Sequence, residues 1–171
     1  LARLCQAVQP QVEHVVLVDN GSSAETLAAL QALVEGPSSA LTLLAQGENR
    51  GIGAAQNAGI AMARQHGSRY VLLLDHDSIP EADMVATLRA AIEDQPAGSP
   101  PVAAAGPRYA DARQTTNPSP FVQLEGFKRV RCECQHAGQL IEVEHLIASG
   151  SLIPMAVLDA VGDMDERLFI D

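Results

Sequence analysis

Two aspartates with one residue between them, Asp75 and Asp77, close the apolar run Val71-Leu72-Leu73-Leu74. Carboxylates this close can share a divalent cation, and that cation can in turn clamp a diphosphate. Residues two apart on a strand face one side, so a single ligand can meet both. A turn after Asp75 would loosen that relation but keep the reach. His76 reads as a packed or solvent-facing ring, with metal ligation as the alternative. A second chemical stretch is Asn49-Arg50-Gly51, followed by Gly53. Glycines there let backbone approach a ligand, and the Arg50 guanidinium suits a phosphate or a base. The third glycine position of a dinucleotide fingerprint holds Gln56, so that motif is incomplete. Each stretch has a plainer reading. The first is a strand ending in solvated turn residues, and the second is a loop opening a helix. Asp19, in Val18-Asp19-Asn20-Gly21-Ser22, reads equally as a turn aspartate or helix cap.

The elements that would position these residues alternate. Leu1, Leu4, Cys5 and Val8 have helical spacing, which Pro10 ends. Val15-Val16-Leu17-Val18 reads as a buried strand, and Ser22 or Ser23 can cap a helix from Glu25 to Val34. Leu41 to Ala45 is a second strand. A polar loop, 46–53, leads to a helix over 54–66 that Gly67 stops. Tyr70 to Leu74 is the third strand, buried on both faces as in a parallel sheet. Pro80-Glu81 opens a helix to Glu93, because proline's missing donor costs little at an N-terminus. After the Pro/Gly/Ser linker 95–101, Val102 to Ala105 is a short strand and 107–127 a loop. Val130 to Cys134 and Leu140 to Leu146 alternate as a hairpin around His136-Ala137-Gly138. Leu152-Ile153 is a strand, and Pro154 starts a helix that Gly162 stops. The order βαβαβα followed by irregular β indicates an α/β fold with a mixed second half, in one domain. In such sheets, ligands bind beyond the carboxyl ends of the strands.

Composition narrows the function classes. The 171 residues suffice for one real core, and the 47% apolar content argues against disorder. Aromatic residues are 3% and Trp is absent, so the core is built from aliphatic side chains, which suits helices on a sheet. The net charge of -10 argues against nucleic acid as a partner, since that requires a basic face. An acidic site binding a phosphorylated substrate through a metal remains compatible with it. Three cysteines, Cys5, Cys132 and Cys134, do not make a disulfide scaffold. Cys132 and Cys134 lack a second ligand pair and read as ordinary strand residues. No apolar run approaches the ~18 residues of a membrane span, and no signal peptide is visible.

Together, Val18-Asp19-Asn20-Gly21-Ser22, Asn49-Arg50-Gly51 with Gly53, Ala54, Asn57 and Gly59, and Leu74-Asp75-His76-Asp77-Ser78 resemble a family 2 glycosyltransferase of the GT-A fold. Ser149-Gly150-Ser151 and Met164-Asp165-Glu166-Arg167-Leu168-Phe169-Ile170-Asp171 extend the resemblance over nearly the whole chain. Ser78 and the Phe-Ile-Asp ending are most similar to bacterial rhamnosyltransferases. The resemblance implies a Rossmann-like, mostly parallel sheet flanked by helices. It implies metal-dependent, inverting transfer of a sugar, L-rhamnose being one candidate, from a nucleoside diphosphate donor. The implied acceptor is a polysaccharide or a lipid-linked saccharide. It assigns Asp19, Asn49, Arg50, Gly51 and Asp75 to the nucleotide. Asp77, with Asp75, falls to the metal, Mg2+ or Mn2+, and Ser149, Gly150 and Ser151 to the sugar or acceptor. A cytoplasmic enzyme is implied, with peripheral association at the inner face of the membrane left open. Nothing in the pattern sets an oligomeric state.

An inverting transferase needs a base for the acceptor hydroxyl. The family register puts that base just past Asp171, with Asp171 the nearest candidate and Asp165 and Glu166 too early. The opening strand of the family fold would precede Leu1. The chain therefore reads as a fragment, incomplete at both ends. Two rival classes remain. Leu72 to Ser78 also resembles the first motif of haloacid-dehalogenase-type phosphatases, with Asp75 as nucleophile. A non-catalytic nucleotide-sugar-binding domain is the other. The pyrophosphorylases of similar fold want a Gly-rich loop with a following Lys or Arg near the start, and none is present.

Overall fold

The computed structural model describes residues 1–35, 40–109, 121–126, 128–132, 136 and 138–168. Helix α1 spans Ala2–Val8 and buries Leu4, Cys5 and Val8, three of the four residues whose spacing marks it. Pro10 does not stop the chain's winding at once, since a 3-10 turn continues over Gln9–Gln11. Pro10 is the second residue of this turn, where a backbone donor is not yet needed. Strand β1, Val15–Asp19, leads to α2, Ala24–Val34. Ser23 caps this helix, its hydroxyl accepting from the Thr26 amide at 3.3 Å. Strand β2, Leu41–Ala45, pairs with β1 in parallel, Val15 opposite Leu41 and Asp19 opposite Ala45. Helix α3, Ile52–Gln65, begins two residues before the expected start at Ala54.

Strand β3 covers Tyr70–Leu72, and α4 runs Met84–Glu93. The expected start of α4 at Pro80-Glu81 is too early. Its first turn is instead organised from a distance, by Gln11. The Gln11 Oε1 accepts from the Val85 amide at 3.1 Å, while its Nε2 donates to the Glu81 carbonyl at 2.8 Å. A cap supplied 74 residues away leaves no local signal. Val102 to Ala105 is not a strand but a single bridge, Ala105 to Leu152. The hairpin also differs from expectation: it joins β4, Phe121–Glu125, to β5, Lys128–Cys132, across Gly126. The alternation of Leu140 to Leu146 forms no strand. Gly126 has φ +64°, a turn conformation that glycine takes without strain, whereas the expected hairpin turned around His136-Ala137-Gly138. Cys134 lies outside the described residues, whereas Cys132 is a free thiol on β5. Strand β6, Leu152–Pro154, is followed by α5, Met155–Val161, and Gly162 stops it as read.

The architecture is α/β, with a parallel pair flanked by helices, consistent with a GT-A fold. Among the described residues the strands form three pairs, β1 with β2, β3 with β6, and β4 with β5. β3 is therefore antiparallel to its partner, not parallel as its four-residue apolar run suggested. An apolar run reports burial on both faces but not the direction of the neighbour. The core sits where α3 meets β3 and α5: Ile60, Val71, Leu73, Met155 and Leu158 cluster there, with Ile153 and Met164 against them. Ile60 is fully buried, at 0% exposure. No helix of the described residues is long and apolar enough to cross a membrane. Ile60→Ala should cost about 2–5 kcal/mol of stability, the range for deleting such a buried side chain, read as a lower urea midpoint with an unchanged slope.

Candidate functional site

The backbone ladder of β1 and β2 ends where the Gln46 amide donates to the Asp19 carbonyl at 2.9 Å, and beyond it side chains join the two loops. Beyond Asp19 the chain turns through Asn20 and Gly21. The Asn20 Oδ1 accepts from the Arg50 amide at 2.9 Å. Its Nδ2 donates to the Gly51 carbonyl at 3.2 Å and to Asn49 Oδ1 at 3.1 Å. Asn49 Oδ1 also accepts from the Gly51 amide at 3.0 Å. The two loops come so close that a Cβ at Gly21 would lie 2.5 Å from the Asn49 nitrogen, and φ there is +86°. Only glycine fits. Asn49, Arg50 and Gly51 thus form one rigid ledge with the turn after β1. Arg50 is held by its backbone, which leaves the guanidinium at the surface, 3.9 Å from Glu48. The Asp19 side chain is 4% exposed, and its carboxylate accepts from the Ser22 amide at 3.2 Å. That is the turn-aspartate geometry, yet a carboxylate has about four acceptor sites, so it can serve the turn and a ligand together.

At the end of β3 the two carboxylates sit on a turn. The Ser78 amide donates to the Asp75 carbonyl at 3.1 Å, and Asp75, His76 and Asp77 are all exposed. The same-face relation of a strand therefore does not hold, but the carboxylates remain neighbours on one short turn. Ser149 lies against this turn: its Oγ accepts from the Asp75 amide at 3.0 Å and is 2.9 Å from the Ser78 Oγ. Gly150, with φ +89°, donates its amide to the Leu73 carbonyl at 2.7 Å. Ser151 is buried, and its hydroxyl donates to the Ile147 carbonyl at 2.6 Å. Of the three residues read as facing sugar or acceptor, two hydroxyls are thus engaged with the protein itself.

A third segment, 163–168, docks on α3. Asn57 Nδ2 donates to the Met164 carbonyl and to Glu166 Oε1, both at 2.9 Å, and its Oδ1 accepts from the Met164 amide at 2.8 Å. The Asp165 carbonyl is 3.1 Å from where a Cβ on Gly53 would stand. Asp165 is gripped by Arg167, whose Nη2 lies 2.6 Å and Nε 2.8 Å from its oxygens. The side-chain bonds from Arg167, and then that from its backbone amide, hold the Asp165 carboxyl below its usual range. A carboxylate so stabilised is a weak proton acceptor, and Glu166 is committed to Asn57. Phe169, Ile170 and Asp171 lie outside the described residues.

The structure thus gathers Asp19, Asn49, Arg50 and Gly51 in one cluster, and Asp75, Asp77 and Ser149 in another. No hydrogen bond among the described residues joins the two. They are related through α3, where a Cβ on Gly59 would stand 3.5 Å from the Val18 side chain of β1 and Ile60 packs against Val71 and Leu73. Among the described residues no group of three His, Cys, Asp or Glu side chains could hold a metal ion. Two carboxylates with open surroundings fit a hard cation that keeps its waters and takes further ligands from a phosphate, as Mg2+ does. They do not fit a metal caged by protein. Asn20, Asn57, Ser78 and Glu166 carry geometry that residue type alone did not assign; all four stand inside the motif stretches, which was their only signal.

The family model described as glycosyl transferase family 2 matches residues 1–140. The chain is 28% identical over 172 aligned residues to the dTDP-rhamnosyl transferase RfbF of Shigella flexneri. That alignment covers 100% of this chain and 54% of the relative, so the chain spans about half the length of the curated relative it matches.

Gly21→Ala should cost about 1–2 kcal/mol from backbone conformation alone, and more as the ledge shifts away from the new Cβ; chemical denaturation measures it. Arg167→Ala should return the Asp165 carboxyl upward toward its ordinary 3.8, as followed by its carboxyl carbon shift in an NMR pH titration.

Proposed function

The chain belongs to glycosyl transferase family 2, and from that premise we propose that it carries the donor-binding half of an inverting, metal-dependent glycosyltransferase. The observation that carries this reading is the exposed Asp75–Ser78 turn at the end of β3, held in place by Ser149. In the proposed reaction an acceptor hydroxyl attacks the anomeric carbon of a nucleoside diphosphate sugar. The bond from that carbon to the diphosphate oxygen breaks, configuration inverts, and the hydroxyl proton passes to a carboxylate base. Bound Mg2+ or Mn2+ would offset the charge on the departing diphosphate. Asp77 would hold that ion, and Asp75 would reach it or the ribose. The Asn20-braced ledge would receive the nucleotide, with Arg50 turned toward phosphate or base and Asp19 toward the base. Ser149 and Gly150 would line the sugar side through backbone, and Ser151 would support them from beneath. We place the base beyond Leu168, Asp171 being the first residue to test, because Asp165 and Glu166 are engaged elsewhere.

The dTDP-rhamnosyl transferase of Shigella flexneri supports a donor of the dTDP-rhamnose kind, and we take a polysaccharide or lipid-linked saccharide as the acceptor. A lipid-linked acceptor would bring the protein to the inner face of a membrane by peripheral contact. The phosphatase reading of Asp75 falls with the family assignment. Asp77→Asn should lose most of the metal-dependent affinity for dTDP in calorimetry, while leaving weak metal-free binding unchanged. Equal binding by both proteins in Mn2+ would remove the metal role. Metal-dependent binding without any sugar transfer by a full-length protein would favour a non-catalytic domain.

A further inference from the structure

The rung that should continue the β3–β6 ladder past Leu73 is made by a side chain. In register, Leu72 faces Leu152. One step on, Leu73 faces two residues: its amide donates to the Ser151 carbonyl at 3.0 Å, and its carbonyl accepts from the Gly150 amide at 2.7 Å. The Ser151 amide turns back to the Ala148 carbonyl at 3.0 Å. This is a glycine bulge, with Gly150 at φ +89°. A Cβ there would come within 2.8 Å of Pro107, so the bulge is bound to glycine. Bulges end regular pairing and re-aim the side chains beside them. Here the re-aimed side chain is Ser149. Asp75, two residues past Leu73, has an amide that the ladder no longer serves, and the Ser149 Oγ accepts from it at 3.0 Å. The same oxygen is 2.9 Å from the Ser78 hydroxyl, at the other end of the turn that carries both carboxylates.

We propose that Ser149 and Ser78 form a hydroxyl brace that positions the Asp75–Ser78 turn for the metal-bound diphosphate, the Ser149 oxygen holding the Asp75 amide at one end of the turn and the Ser78 hydroxyl at the other. Asp75 and Asp77 are exposed, and among the described residues no hydrogen bond reaches their carboxylate oxygens, so nothing there sets their direction. The brace acts on the turn's backbone, which is the remaining handle. It assigns a role to Ser78, and it gives Ser149 one other than contact with the sugar. The proposal rests on the reading of Asp75 and Asp77 as the metal-bearing pair.

The test compares wild type with Ser149→Ala, Ser149→Thr and Ser78→Ala, using dTDP in Mn2+ and in EDTA, by calorimetry. Loss of a residue that orients a metal ligand costs about 10–100-fold in affinity. Ser149→Ala and Ser78→Ala should therefore lose about tenfold or more in Mn2+, with the EDTA affinity unchanged, and Ser149→Thr should keep the wild-type value. Amide exchange supplies a readout without metal: in Ser149→Ala the Asp75 amide should exchange faster while the Leu73 amide does not. Should Ser149→Ala fail to fold, Ser78→Ala carries the comparison. Equal affinities in Mn2+, or equal losses in Mn2+ and EDTA, would overturn the brace alone. Absence of Mn2+-dependent binding by wild type would overturn the metal reading of Asp75 and Asp77, and the brace with it.

Discussion

Backbone amides and carbonyls that leave a strand must find new partners, and in this protein polar side chains provide them. An orphaned polar group costs free energy comparable to a lost hydrogen bond. Asn20 satisfies the Arg50 amide and the Gly51 carbonyl. Ser149 satisfies the Asp75 amide, Asn57 both backbone groups of Met164, and Gln11 the first turn of α4. Each of these contacts joins segments far apart in sequence, and three of them hold a segment of the candidate site. The loops beyond the strands are therefore built as fixed surfaces, because their backbone is tied down by amides and hydroxyls rather than left to water.

Helix α3 turns these separate ties into one structure. Its first turn follows directly on the Asn49–Gly51 ledge, and the face near Gly53 and Asn57 receives the 163–168 turn. Gly59 lets it lie close to β1, and Ile60 enters the core with Val71, Leu73, Met155 and Leu158. Near its C-terminal end, Arg64 donates to Asp159 at 3.0 Å and to Asp163 at 2.8 Å. Such exposed pairs are worth little each, so the core around Ile60 must supply most of the attachment. Small residues on the near face of α3 are a packing requirement of this position, since a larger side chain at Gly53 would meet the Asp165 backbone.

The carboxylates of the site sort by their surroundings. Asp75 and Asp77 face solvent, Asp19 is buried in a turn, Asp165 is neutralised by Arg167, and Glu166 is bonded to Asn57. Five acidic residues of two types thus have different availability to a ligand: Asp165 and Glu166 are exposed but engaged, and only the first pair is exposed with no hydrogen bond to its carboxylates among the described residues. The net charge of -10 over the chain does not oppose a diphosphate at that point if a cation intervenes.

What the sequence determined by itself was local. Helical spacing at Leu1, Leu4, Cys5 and Val8 marked α1, the strand runs before Asp19 and from Tyr70 to Leu74 marked β1 and β3, the latter ending two residues sooner at Leu72, and Gly67 and Gly162 marked helix ends. These signals act within a few residues, where periodicity and cap chemistry are decided. The motif stretches also carried the family, since their order survives in the linear chain. Tertiary structure alone decided the rest. Gln11 set the start of α4, and β6 rather than a parallel neighbour paired with β3. The hairpin formed at Gly126, not around His136, although Gly126 and Gly138 both have positive φ, so local turn chemistry did not choose between them. The Ser149 hydroxyl went to a backbone amide 74 residues away. Such contacts depend on where a distant segment ends in space, and residue type constrains that only after the sheet and its bulge have formed.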